Sequence, residues 1–105
     1  MNQMTQISGS DIKNLTVACD AGMGSSVMLT SQMKKRLSKY GVTVTHSAVA
    51  DIPKDTQVVL CHKGLAERAR AVAPDAVIAP FQVFLGDPAF ARVEQAIKDG
   101  GTLAG

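Results

Sequence analysis

The sequence predicts a three-layer α/β/α protein built on a four-stranded parallel sheet. Short apolar runs alternate with about three segments of helical periodicity, an alternation typical of parallel sheets with right-handed crossovers. The four runs are residues 14–18, 42–45, 57–61 and 76–79. With the first run at the centre, the expected strand order is 2-1-3-4. A chain of 105 residues is long enough for one such domain with its own core.

The composition of each run predicts its place in the sheet. Residues 14–18 and 57–61 are mostly apolar, as expected for strands covered on both faces. Residues 42–45 alternate apolar and polar side chains, which is typical of an edge strand. The connection at 48–56 contains Pro53, and an apolar loop is expected after Pro80.

Three helices are expected between and after these strands. The first spans residues 25–40 and ends at Gly41, the second spans 65–72, and Asp87 and Pro88 begin the third. The expected buried positions are Leu29, Met33 and Leu37 with Val27 and Tyr40 in the first helix, and Phe90, Val93 and Ile97 in the last.

The two ends of the chain have no clear periodicity. Residues 1–13 are polar and are expected to form a flexible leader, and residues 100–105 a flexible tail. The domain itself is expected at 14–99.

Composition excludes several classes of function. The net charge of +2 carries no basic stripe, so we expect no nucleic-acid partner. The apolar runs are shorter than the ~20 residues that span a bilayer, and no export signal is visible, so a cytoplasmic protein without membrane insertion is expected. Two cysteines in such a protein are expected to be reduced thiols. No residue pattern calls for a metal or a cofactor.

The segment from Cys19 to Ser26 is the candidate functional site. It reads Cys-Asp-Ala-Gly-Met-Gly-Ser-Ser, between the first strand and the first helix. Glycines allow close approach of the backbone, and a helix N-terminus favours anions and lowers the pKa of a nearby thiol. Ligands of parallel sheets bind at the carboxyl ends of strands, near the point where the strand order reverses. The segment therefore predicts a phosphate-binding loop with Cys19 as nucleophile.

This segment has three other interpretations. An ordinary packing turn remains open on the loop alone. A dinucleotide-binding turn fits poorly, because Val27 occupies the position of the third glycine and no acidic residue ends the second strand. A nucleotide-binding loop fails because no Gly-Lys-Ser/Thr follows the glycines.

The residues from Val17 to Ser26 closely resemble the phosphorylation loop of mannitol-type enzyme IIB of the bacterial phosphoenolpyruvate-dependent sugar phosphotransferase system. The run from His62 to Ala69 is similar to the family's His-Arg-Asp-Leu-Thr-Glu-Arg-Ala segment, and Phe84-Leu85 also fits. The resemblance covers about residues 13–99. Cys61 and Gly64 depart from it, where the family often has Thr and Asp.

This resemblance implies a Rossmann-like fold, similar to the low-molecular-weight thiol phosphatases, and a phosphocarrier function. Cys19 would accept a phosphoryl group from phosphohistidine of enzyme IIA. It would then pass the group to a sugar or sugar alcohol held by membrane enzyme IIC. The phosphate would be held by the backbone of Asp20, Ala21, Gly22, Met23, Gly24, Ser25 and Ser26, with the hydroxyls of the two serines.

Two alternative functions stay open at this point. A thiol phosphatase has the spacing C-x5-R-S/T, and Ser25 stands here where its phosphate-binding Arg is expected. A regulatory IIB-like module would use the same loop only for signalling.

Several residues are secondary candidates. His62 and Lys63 follow the third strand and are possible pocket or partner contacts, the alternative being an exposed loop. Phe81 and Phe84, with Met23 and Leu85, are candidates for an apolar face that docks enzyme IIA. Cys61 is expected to be a packed, unreactive thiol, and His46 a surface residue.

Overall fold

A computed structural model describes residues 6–19, 24–82 and 88–104. Within these residues the strands are β1 (Gln6–Ser8), β2 (Asn14–Cys19), β3 (Thr43–Ala48), β4 (Val58–His62), β5 (Val77–Phe81) and β6 (Thr102–Ala104). The helices are α1 (Gly24–Leu37), α2 (Ala66–Val72) and α3 (Pro88–Asp99). None of the described helices is long and apolar enough to cross a membrane.

Four of the strands form a parallel sheet in the order β3-β2-β4-β5. This is the predicted order 2-1-3-4, with the first of the four strands inside the sheet and the alternating strand, β3, at its edge. The prediction is confirmed. The register pairs Cys19 with Ala48 across β2 and β3, and His62 with Phe81 across β4 and β5.

Helices cover both faces of this sheet, as the three-layer prediction required. On one face, α1 and α3 pack over Leu15, Val17 and Leu60 in a single core cluster. On the other face, α2 and the segment around Val49 and Ile52 pack over the sheet in a second cluster. The α2 cluster is rich in alanine, so this short helix lies close to the strands.

The first helix buries Leu29, Met33 and Leu37 of the predicted stripe, whereas Val27 is exposed and Tyr40 lies after the end of α1 and is only partly buried. Leu29, Met33 and Leu37 are 1% exposed or less, whereas Val27 is 56% exposed. Including Val27 in the stripe was wrong, because it lies two residues before Leu29 and so points about 200° away around the helix. A 3-10 turn at Ser38–Tyr40 follows α1, and Gly41 ends it with a φ of 75°, as expected of a glycine at this position.

The ends of the chain differ from the expected flexible leader and tail. β1 pairs with β6 in an antiparallel two-stranded ladder, with Ile7 opposite Leu103. Leu103 and Ile12 are buried in the core cluster of α1 and α3. Apolar side chains at both ends thus hold the described parts of the leader and tail against the domain.

The fourth strand of the sheet extends further than predicted. Pro80 and Phe81 belong to β5 and not to a following loop, and Pro80 pairs with Cys61. Proline lacks an N–H group, but β5 is an edge strand of the parallel sheet. Alternate N–H groups of an edge strand point away from the sheet, so a proline at such a position costs no hydrogen bond between strands. The remaining residues of the predicted apolar loop, 83–87, lie outside the described residues, as does the Asp87 cap.

Candidate functional site

The predicted phosphate loop is bracketed by two described elements. Cys19 is the last residue of β2, and α1 begins at Gly24, with Ser25 and Ser26 in its first turn. The predicted site residues Asp20, Ala21, Gly22 and Met23, and Phe84, lie outside the described residues. A strand end and a helix N-terminus therefore stand on either side of a four-residue connection, as an anion-binding loop requires.

Cys19 lies at the point where the strand order reverses. β2 has β3 on one side and β4 on the other, and the chain visits first β3 and then β4. Crossovers leave β2 in one direction and return to its other side, which opens a crevice beyond the carboxyl ends of these strands. Cys19 ends β2 at the edge of the sheet that this crevice borders.

His62 ends the neighbouring strand at the same edge of the sheet. Its Nδ1 accepts a hydrogen bond from the backbone N–H of Gly64 at 3.2 Å, which caps the 3-10 turn Lys63–Leu65. Its ring meets that of Phe81 edge-on, with centroids 6.2 Å apart and an interplanar angle of 87°. His62 is half-buried and Lys63 is exposed. These contacts hold the imidazole ring in place at the end of β4, whereas the alternative from the sequence was an exposed loop residue.

Phe81 is a core residue. It is 2% exposed and packs against Phe90 of α3, with ring centroids 5.2 Å apart. A side chain so deeply buried presents no surface to another protein, so its inclusion in the apolar docking face was wrong. Its ring also contacts the imidazole ring of His62 edge-on.

Cys61 is a buried free thiol with no exposed surface. Burial raises the pKa of this thiol from its ordinary value of 9.0 to about 11, although the nearby Arg70 guanidinium lowers it. At neutral pH the side chain is therefore protonated and unreactive, because the thiolate is the nucleophilic form. This agrees with the expectation of a packed thiol.

Two polar or concave features lie away from this edge. Thr16 and Thr56 join their hydroxyls at 2.8 Å, and Thr45 joins Thr16 at 3.2 Å. The sequence signal for this cluster was the alternation of threonines in β3, which was used only to assign an edge strand. A cleft of about 410 Å³ lies between α3, β5 and β6, and its described lining includes none of His62, Lys63 and Phe81.

The described residues contain no group of three or more His, Cys, Asp or Glu side chains able to hold a metal ion. At the carboxyl ends of β2 and β4 the elements present are Cys19, His62 and the N-terminus of α1. These groups suit nucleophilic attack on, and binding of, an oxyanion such as phosphate.

Comparison with known proteins gives a consistent family. The family model described as PTS system, lactose/cellobiose-specific IIB subunit matches residues 14–97. The chain is similar to the PTS system mannitol-specific EIICB components of Bacillus subtilis (strain 168), at 32% identity over 91% of this chain, and of Staphylococcus aureus (strain COL), at 36% over 84%. It spans about one fifth of these relatives, 20% and 18% of their lengths.

A solved structure shares the fold. The lactose-specific IIB component domain of the phosphoenolpyruvate:carbohydrate phosphotransferase system (PTS) from Streptococcus pneumoniae superposes with a TM-score of 0.50 at 13% identity. The match covers 86% of this chain and 91% of that chain. At this identity the likeness concerns the fold alone.

Proposed function

The chain belongs to the family of PTS IIB subunits, of the mannitol type, and we propose that it carries a phosphoryl group on Cys19 during carbohydrate uptake. The family gives it a phosphotransferase role in a sugar phosphotransferase system. The observation that carries the assignment of Cys19 is its position at the end of an inner strand, at the strand-order reversal, with four residues between it and the start of a helix.

The proposed first step moves the phosphoryl group from nitrogen to sulfur. The Cys19 thiolate attacks the phosphorus of a phosphohistidine on enzyme IIA, forming an S–P bond as the P–N bond breaks. The electron pair of the P–N bond stays on the imidazole nitrogen of IIA, which takes a proton from water. In the second step a carbohydrate hydroxyl attacks the phosphorus and gives its proton to water, an O–P bond forms as the S–P bond breaks, and the sulfur leaves as thiolate. Such transfers need mainly in-line positioning and charge stabilisation.

The residues after Cys19 supply that stabilisation in this proposal. Backbone N–H groups between Asp20 and Ser26 converge on the phosphoryl oxygens, and the hydroxyls of Ser25 and Ser26 add two donors. The partial positive charge at the start of α1 favours the phosphoryl dianion in the same place.

Two partners follow from this chemistry. The donor is enzyme IIA, and the acceptor is a carbohydrate bound by the membrane component, enzyme IIC. The relatives are named as EIICB components and are about five times as long as this chain, which supports a membrane IIC partner. We propose that the domain works on the cytoplasmic side of the membrane.

The test is phosphorylation by purified phospho-IIA with two matched cysteine variants. Cys19→Ser should abolish formation of the iodine-labile phosphothiol, whereas Cys61→Ser should retain it, because the buried Cys61 thiol is protonated at neutral pH. Equal loss in both variants would contradict the assignment of Cys19.

The same preparations separate the alternative functions. The loop lacks the phosphate-binding Arg of a thiol phosphatase, so hydrolysis of aryl phosphates should stay near the rate of the Cys19→Ser control. Turnover well above that control would favour a phosphatase. Phosphorylation by IIA without transfer to carbohydrate in IIC-containing membranes would favour a regulatory module.

A further inference from the structure

The register of the parallel sheet brings Cys19 and His62 to equivalent positions on neighbouring strands. Between β2 and β4 the pairs are Leu15 with Val58 and Val17 with Leu60. Continuing this register by two residues places position 19 beside position 62, at the ends of the two strands. The observed pairing of β2 and β4 ends at Val17 and Leu60, and both strands continue for two residues beyond it. Residues 19 and 62 therefore end neighbouring strands at the same level of the carboxyl edge of the sheet.

The ring of His62 is fixed by contacts on two sides. Gly64 N–H donates to Nδ1, and the Phe81 ring stands edge-on against the imidazole, itself backed by Phe90. A nitrogen that accepts a hydrogen bond carries no proton, so in the neutral ring the proton resides on Nε2. The fold thus sets both the orientation of this side chain and the nitrogen that donates.

We propose that His62 binds the phosphoryl group on Cys19, donating a hydrogen bond from Nε2 to a phosphoryl oxygen. This inference rests on the proposed function and adds a donor that comes from a different strand than the loop. No proton is transferred and no bond of His62 breaks. A phosphoryl group carrying nearly two negative charges makes such a bond charge-assisted, and it stabilises both the incoming transition state and the phosphocysteine.

Two substitutions separate the roles of the two ring nitrogens of His62, because each keeps the function of one nitrogen and removes that of the other. In His62→Asn, the amide oxygen occupies the position of Nδ1 and keeps the cap on Gly64, but nothing reaches the position of Nε2. In His62→Gln, the amide nitrogen reaches the position of Nε2, but the acceptor for Gly64 is lost. The chain has two histidines, so His46→Asn and His46→Gln, at an exposed position of β3, are matched controls.

The expected rates and stabilities run in opposite orders. Phosphorylation of Cys19 by phospho-IIA should slow about tenfold to a hundredfold in His62→Asn, the usual effect of losing one charge-assisted hydrogen bond. His62→Gln should stay within about threefold of wild type by the same reasoning. The urea midpoint should instead fall more in His62→Gln, which loses the cap. The two His46 variants should match wild type in rate.

The outcomes distinguish this proposal from the proposed function. A wild-type protein that accepts no phosphoryl group refutes the proposed function itself. If wild type is phosphorylated and His62→Asn is phosphorylated at the same rate, the proposed role of His62 is wrong. It is also wrong if the phosphorylation rates of the two variants fall in the same order as their urea midpoints. Should both variants slow equally, the ring ¹⁵N resonances of wild-type His62 decide. A change at Nε2 on phosphorylation supports the hydrogen bond, and an unchanged Nε2 overturns it.

Discussion

Gly9 carries the packing of the ordered N-terminal segment against α3, and Gly9→Ala should break it. A methyl group at this position would lie 1.7 Å from the backbone oxygen of Ala96 and 2.3 Å from its carbonyl carbon. Both atoms belong to the backbone of α3 and have no side-chain rotation by which to move aside. Gly9 also donates its N–H to the oxygen of Gly101 at 2.7 Å, so the segment has no free direction in which to shift.

The structure sets the size of the effect. Real methyl groups stay at least about 3.0 Å from such atoms, so the segment or α3 must move by about 1.3 Å, the difference from the 1.7 Å approach. Overpacking of this kind costs about 1–3 kcal/mol, and loss of the hydrogen bond to Gly101 adds about 1 kcal/mol. We expect a loss of about 2–4 kcal/mol in the free energy of unfolding, a large share of a typical domain's stability.

Urea denaturation with Gly101→Ala as control measures this effect. A methyl group at Gly101 meets nothing within 4 Å, and neither glycine has a positive φ, so only space distinguishes the two positions. Gly101→Ala should leave stability unchanged or raise it by up to about 1 kcal/mol, because alanine restricts the unfolded chain. Equal midpoints for the two variants would refute the packing of Gly9 on α3.

Two further predictions concern buried polar groups. Burial raises the pKa of Cys61 from 9.0 to about 11, so the folded state binds the thiol proton more tightly than the unfolded chain does. The resulting stabilisation of the folded state is complete below pH 9 and is lost as the pH rises towards 11. The stability of wild type relative to Cys61→Ala should therefore fall by about 2–3 kcal/mol across that range in urea titrations, and a constant difference would contradict the burial of this thiol. Thr16→Val should lower the free energy of unfolding by about 1–2 kcal/mol, since it removes the shorter of two hydrogen bonds of the buried Thr56 hydroxyl, whose other partner is the Val58 backbone oxygen. Thr43→Val, at an exposed position of β3, should change it by less than about 0.5 kcal/mol, and equal effects would count against the threonine cluster.

The sheet was predictable from sequence because burial leaves a simple pattern. Inner parallel strands are covered on both faces and read as apolar runs, which identified residues 14–18 and 57–61. The alternating run at 42–45 became the edge strand β3, because one face of that strand is left more open. The strand order follows from the two apolar inner strands, the alternating edge strand and the right-handedness of the crossovers.

The ends of the chain were not predictable in this way. A three-residue strand is too short for periodicity to register, and β1 pairs with β6 from the opposite end of the chain. Pro80 was read as the end of the fourth strand, because proline usually ends a strand whose N–H groups are paired. In β5 it is accommodated at the sheet edge, which a local reading of the sequence does not reveal.

Part of the candidate site was predictable from one stretch of sequence, and part depends on contacts between distant residues. The loop from Cys19 to Ser26 is a single stretch of sequence, so its spacing alone predicted a thiol beside a helix N-terminus, and the roles of its residues stay predictions. His62 lies far from Cys19 in the sequence and enters the site only through the register of β2 and β4, which no local pattern contains. From the sequence, His62 could therefore be expected at the same edge of the sheet as Cys19, but not at the same level as that residue.

The four strands of the parallel sheet end at Ala48, Cys19, His62 and Phe81. Cys19 pairs with Ala48 and His62 with Phe81, and the register of β2 and β4, continued two residues past Val17 and Leu60, brings position 19 level with position 62. The ring of His62 is held at this edge by Gly64 and Phe81. In our proposal, a phosphoryl group on Cys19 therefore meets an imidazole that is already oriented, and the hydrogen bond from Nε2 costs little ordering of that side chain.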